Sequence, residues 1–140
     1  MYQIVIDTNV IITGLKSRNG ASFQLLRRLK DPRWQINLST ALVLEYEEQL
    51  NLSAHELNLS KREINEIIDG LCSIARLHKR LSFKWRPLSK DLDDDFILEL
   101  AIHANADMII SYNKRDLAEA HKYGVQVVTP LAFLIETGDL

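Results

Sequence analysis

The chain has 140 residues, 46% of them hydrophobic, which supports one compact domain over 1–140 with a sizeable core and excludes a polar, disordered chain. Its formal charge of −2 gives no global signature of nucleic-acid or membrane attraction, so any RNA contact must come from a local basic patch. The single cysteine, Cys72, excludes an internal disulfide and a thiolate zinc site, and no apolar run is long enough to span a bilayer; together with the lack of a signal-type start, this predicts a cytoplasmic protein without membrane contact.

In chain order, residues 3–7 (QIVID) form a short β-branched run that predicts a strand. Asp7 interrupts it. A carboxylate inside the apolar stretch IVIDTNVII is costly to bury without a partner, so Thr8 and Asn9 are expected to turn the chain there. Phe23, Leu25, Leu26 and Leu29 give an amphipathic helical face over 21–30, and WQINL at 34–38 reads as a second strand. A helix follows across TALVLEYEEQL from a Ser39/Thr40 cap. The segment 60–78 opens with a capping box, Ser60 to Glu63, and carries Ile64, Ile67, Ile68, Leu71 and Ile74 at helical spacing. Residues 76–92 hold Arg76, Lys79, Arg80, Lys84, Arg86 and Lys90 with no acid before Asp91, and Phe83 and Trp85 alternate with polar residues like a short edge strand. That stretch reads either as a solvated basic face or as a contact for RNA phosphates with Trp85 available for stacking.

The helix in DDDFILELAIHANA places Ile97, Leu100, Ala101 and Ala104 on one face. Strands are expected at 107–111 and 125–129, and Thr129-Pro130 starts a last helix over 130–136. Alternating strands and helices predict an α/β fold whose mostly parallel sheet has four to five short strands and helices on both faces.

Ligands of parallel sheets gather at the carboxyl ends of the strands, which sorts the acids. Asp7 closes the first strand and lands at that edge. Asp116 follows the strand at 107–111 by a few residues and Asn113 is nearer still, whereas Asp107 enters that strand from the opposite edge. Glu45 lies about one turn into its helix and Glu48 almost a turn farther from the edge. The apolar face of the next helix, followed backwards, meets Asp94 first and Asp93 second, while Asp95 falls beside it. Asp7, Glu45, Asp94 and Asp116 would repel one another in one cleft unless a cation joined them, and all-oxygen ligands suit Mg2+ or Mn2+, as one or two ions. Such a site implies metal-assisted hydrolysis of a phosphate ester, with Thr8, Asn9, Ser111 and Asn113 in supporting roles and Asp93 beside them. Each acid also has a plainer reading: LDDDF serves equally as a helix amino-terminal cluster. Lys114 and Arg115, like Lys84 and Arg86, are candidate phosphate contacts or exposed turn cations.

These residues together resemble a known family. IVIDTNVIITGL, the Glu within ALVLEYEEQL, LDDDFILELAIHANADMIIS, NKRDL and VQVVTPLAFL resemble the PIN-domain nucleases, in particular bacterial toxins of the VapC-like kind, over residues 3 to about 136. The resemblance implies a three-layer α/β/α fold, an Mg2+- or Mn2+-dependent endoribonuclease, a homodimer and a cognate antitoxin as partner. It places the first acid on Asp7, the second on Glu45 and the third on Asp94, with Asp93 and Asp95 one residue away. Many relatives show Thr-Gly-Asp after the fourth strand, whereas this chain reads Ser111-Tyr112-Asn113 with Asp116 three residues on. Either Asn113 or Asp116 therefore fills the fourth place. The rival expectation is a PIN-fold module that binds RNA or protein without cleaving. A phosphatase of the haloacid type would need Asp where this chain has Asn9.

Overall fold

The computed structural model describes residues 1–79 and 95–140, with the side chain of Asp95 left aside. Five strands form one parallel sheet: β1 (Tyr2–Ile6), β2 (Trp34–Ser39), β3 (Arg76–His78), β4 (Met108–Ile110) and β5 (Gln126–Val128). Their order is β3-β2-β1-β4-β5, and every neighbouring pair is parallel. The helices are α1 (Thr8–Lys16), α2 (Ala21–Leu26), α3 (Thr40–Leu52), α4 (Ala54–Leu57), α5 (Lys61–Ile74), α6 (Asp95–His103) and α7 (Pro130–Glu136), with a 3-10 turn over Ala118–Tyr123. The sheet sits between helical layers, as the α/β/α expectation required.

The central strands carry apolar residues on both faces because both are covered. Ile4, Val5, Ile6, Leu38, Ile109 and Ile110 are all essentially inaccessible to solvent. Ile4 pairs with Ile36 on one side and Met108 on the other, and Ile6 with Ile110. From β1 the chain builds outward through β2 to β3, then returns to place β4 on the other flank of β1. The sheet thus changes direction between β1 and β4, and the crevice beyond their carboxyl ends is where doubly wound sheets bind ligands.

Local signals fix the helix starts. Ser39 accepts from Leu42 N at 3.2 Å and Thr129 from Ala132 N at 3.2 Å. Ser60 and Glu63 exchange both bonds of the expected capping box. Gly14 lets α1 and α2 pack closely, since a Cβ there would lie 2.5 Å from Leu26 Cδ1 and 3.2 Å from the Ser22 carbonyl carbon. Gly124, at φ +77°, ends the 3-10 turn and leads into β5.

The structure corrects three expectations. Thr8 and Asn9 do not form a turn: they begin α1, with Asp7 as its N-cap. The capping-box helix stops at Ile74 rather than running to 78, and Arg76–His78 pairs with β2 as an edge strand. The helix expected over 21–30 ends at Leu26 and gives way to turns. The edge strand expected around Phe83 and Trp85 lies outside the described residues. Among those described, no helix is long and apolar enough to cross a membrane.

Candidate active site

Asp7 follows the last residue of β1, and its backbone N–H donates to Ile110 O of β4 at 2.9 Å, so the two strand ends are pinned together. Its side chain is 7% exposed. Oδ1 accepts from Thr8 N at 2.8 Å, and Oδ2 accepts the Ser111 hydroxyl at 2.6 Å and Asn9 Nδ2 at 3.4 Å. Ser111 Oγ in turn accepts from Asn113 N at 2.9 Å, and Asn9 Oδ1 accepts from Tyr112 N at 3.3 Å. The loop after β4 is therefore tied to the start of α1 through one carboxylate.

Burial pushes the Asp7 carboxyl above its ordinary range, because the charged form loses solvation. The bonds from Ser111 and Thr8 oppose that rise without cancelling it. The Asp7 anion is held in place yet incompletely compensated, which is the electrostatic condition that favours a cation nearby.

Asp7, Thr8, Asn9, Glu45, Gln49 and Asn113 line one polar cleft of about 560 Å³ at this edge. Glu45 reaches it from the second turn of α3. The next residue, Tyr46, is 2% exposed and donates its hydroxyl to Ile6 O, the carbonyl just before Asp7. Burial, and then the nearby Asp7 charge, push the Tyr46 phenol well above its ordinary value, so it remains a donor. This bond locks α3, which carries Glu45, to the end of β1 beside Asp7.

Asn113, not Asp116, lines the cleft; Asp116 is half-buried three residues on, in the turn before the 3-10 segment. Lys114 and Arg115 are exposed, and Lys114 borders a separate hollow with Leu117, His121 and β5. Asp107 stands at the opposite edge, where its Oδ2 accepts from Gln3 N at 2.7 Å. Asp93, Asp94, Lys84 and Arg86 lie outside the described residues; Asp95 is the first residue of α6.

The cleft also holds residues that sequence reasoning passed over. Lys16, paired with Glu56 at 3.1 Å, and Gln49 both line it. Gln49 is one helical turn from Glu45, and Lys16 is two turns from Thr8. Reading 8–16 as a helix would have exposed the second relation.

Thr8 Oγ1 is buried at the cleft wall and has no hydrogen-bond partner among the described residues. An unmet hydroxyl, two carboxylates and an amide oxygen form a hard oxygen donor set without thiol or imidazole, which fits Mg2+ or Mn2+ in kind. Among the described residues no three His, Cys, Asp or Glu side chains converge as a ligand group, so these acids supply at most part of such a set.

The profile of the PIN domain family matches residues 3–115. The chain belongs to the PIN domain family. That match runs from β1 through the loop after β4, and so includes the whole cleft wall described above. A chain in the structure of VapBC-1 from nontypeable Haemophilus influenzae is similar to this PIN domain with a TM-score of 0.65 at 18% identity, over 92% of this chain and 98% of that one. A chain in the structure of VapBC2 from Rickettsia felis, bound to a DNA fragment from their promoter, gives 0.60 at 14% identity, over 89% and 98%. These likenesses establish the fold. No curated protein matches the sequence.

Proposed function

We propose that this PIN domain is an Mg2+- or Mn2+-dependent endoribonuclease, the cytoplasmic toxin of a bacterial toxin–antitoxin pair. The observation that carries the reading is the Asp7 carboxylate, buried, braced by Ser111 and lining one polar cleft with Glu45 at the sheet's switch point. Asp7, Glu45 and Asn113 would hold the cation, completed by an acid from 93–95. Asp116 remains a supporting residue of the loop. When bound, a divalent ion supplies the charge that makes a water nucleophilic at neutral pH and offsets negative charge developing on a phosphodiester. The chain's own residues do the rest. Ser111 and Thr8 N fix both Asp7 oxygens, Tyr46 fixes the backbone that carries Asp7, and the Asn9 amide ties the loop after β4 to this carboxylate.

The antitoxin reading is supported by the fold shared with chains of two VapBC structures. An apolar groove of about 500 Å³ between α1, α2 and α5, bordered by Ile11, Leu15, Leu26, Ile67 and Leu71, offers an amphipathic partner helix a seat. A homodimer is part of the same proposal, and light scattering of the purified chain would test it.

The test is cleavage of a labelled RNA pool by purified protein in EDTA, Mg2+ or Mn2+, beside Asp7→Asn. Discrete, metal-dependent fragments that vanish in the variant support the nuclease. Intact RNA under every metal, with folded protein free of antitoxin, overturns it in favour of a binding module. The amide of Asn113, standing where an acid would add charge, is the observation that favours this second reading.

A further inference from the structure

We propose that Tyr112 is a stacking platform for an unpaired RNA base beside the Asp7 cleft. The inference rests on the ribonuclease reading and adds to it a positioning residue that takes an unpaired base.

Tyrosine ordinarily buries its ring and leaves its hydroxyl wet. Tyr112 does the reverse. Its hydroxyl shares a hydrogen bond of 2.5 Å with Ser22 Oγ on α2, and Ser22 is 1% exposed, while Tyr112 as a residue is 46% exposed. Its backbone is tethered as well, since its N–H donates to Asn9 Oδ1. The ring is thus held at both ends with much of its apolar surface facing solvent. A side chain kept for core packing would not be arranged this way.

Its chain neighbours place the anchored backbone of Tyr112 at the edge of the cleft, which the ring itself does not line. Asn9, which holds the Tyr112 backbone, and Asn113, which follows it, both line the cleft of Asp7. Ser111, which precedes it, bonds Asp7 directly. The ring is therefore anchored within one residue of the Asp7 network. Lys114 and Arg115 come next and are exposed. An immobilised aromatic whose loop also carries exposed cations is the combination that binds single strands, with the ring taking a base and the cations the backbone. Because the ring is already fixed, little conformational entropy is lost when a base stacks on it. A paired base has no free face to offer, so a duplex gains nothing from Tyr112.

The experiment compares wild type with Tyr112→Ala and Tyr112→Phe on a single-stranded RNA carrying 2-aminopurine, whose fluorescence is quenched by stacking, and on its duplex. Binding is read in the Asp7→Asn background with Mg2+, so that the RNA stays intact, and cleavage with Asp7 present. Stacking on an aromatic contributes roughly 5- to 150-fold in affinity. Tyr112→Ala should weaken single-strand binding within that range, raise KM more than it lowers kcat and abolish the quench. Tyr112→Phe, which keeps the ring, should restore most of the affinity and the quench, and duplex binding should be equal in all three. Unchanged affinity and quench in Tyr112→Ala overturn the inference while the nuclease stands. A loss in Tyr112→Ala that Tyr112→Phe shares in full also overturns it, because the hydroxyl bond to Ser22 then matters and not the ring. Absence of both cleavage and RNA binding in the wild-type site removes the ribonuclease reading and this inference with it.

Discussion

The Ser111 hydroxyl donates to Asp7 Oδ2 at 2.6 Å, joining the carboxyl ends of two adjacent parallel strands whose residues lie 104 positions apart in the chain. That bond lowers the proton affinity of a carboxyl that burial would otherwise raise further. Ser111→Ala should therefore move the acid limb of the cleavage pH profile to higher pH and cost about 1–2 kcal/mol of stability. Rate profiles and urea melts of the two proteins check this. An unmoved acid limb would mean that Asp7 is not the titrating group.

Asp7 itself trades stability for chemistry. Its folded pKa is raised above the unfolded value, so its contribution to stability is full below the ordinary 3.8 and is lost as pH rises through the folded value. At neutral pH the buried anion is a burden. In metal-free buffer Asp7→Asn should be as stable as wild type or more stable by up to about 1 kcal/mol, while cleavage falls at least about a hundredfold. Calorimetry in EDTA beside an RNA assay tests both halves.

The same burden makes metal binding a stability effect. Mg2+ or Mn2+ should raise the wild-type melting temperature at neutral pH, and the rise should shrink as pH falls through the folded pKa of Asp7, where a proton competes with the cation. Asp7→Asn should show little of it. Melting scans across pH with and without metal make the comparison, and an equal shift in the variant would place the cation elsewhere.

Tyr46→Phe removes the hydroxyl that satisfies Ile6 O and leaves that carbonyl buried. The expected cost is about 1–3 kcal/mol in chemical denaturation, with kcat reduced because Glu45 loses its fixed distance from Asp7.

Away from the cleft, Arg33 bonds Asp31 at 2.8 Å and Asp139 at 2.9 Å, tying the start of β2 to the residues after α7. The Arg33 guanidinium holds both carboxyls below their ordinary 3.8. Stability from these bonds is present above that value and lost as pH falls through the lowered ones. Arg33→Gln should be less stable than wild type above about pH 4, with the difference vanishing towards pH 2 in thermal melts.

The helix caps and the central strands could be read from the sequence because their signals are local: Ser60 with Glu63, Thr129 with Pro130, and the β-branched runs at 3–7 and 107–111. Helix α1 was hidden because Val10, Ile11 and Ile12 are β-branched and look like a continuing strand. What makes them helical is the Asp7 cap and burial on more than one side. Strand β3 was hidden because three residues cannot show a period, and its pairing with β2 is a tertiary fact. Asp7 and Glu45 could be placed by strand ends and helical rise. Asn113 and Asp116 could not be separated, since a loop's path depends on the Ser111 bond to Asp7 and not on spacing.

The parallel pairing of β1 with β4 also governs when the site can exist during synthesis. Tyr2–Ile6 leaves the ribosome well before its partner on one side, which, with Ser111, emerges about a hundred residues later. At about 5–20 residues per second, the nascent chain spends several seconds without the Ser111 bond to Asp7 and with the strand-end crevice unbuilt. Translation thus imposes its own delay: the protein cannot assemble this carboxylate cleft before the residues from β1 through Ser111 have all been made.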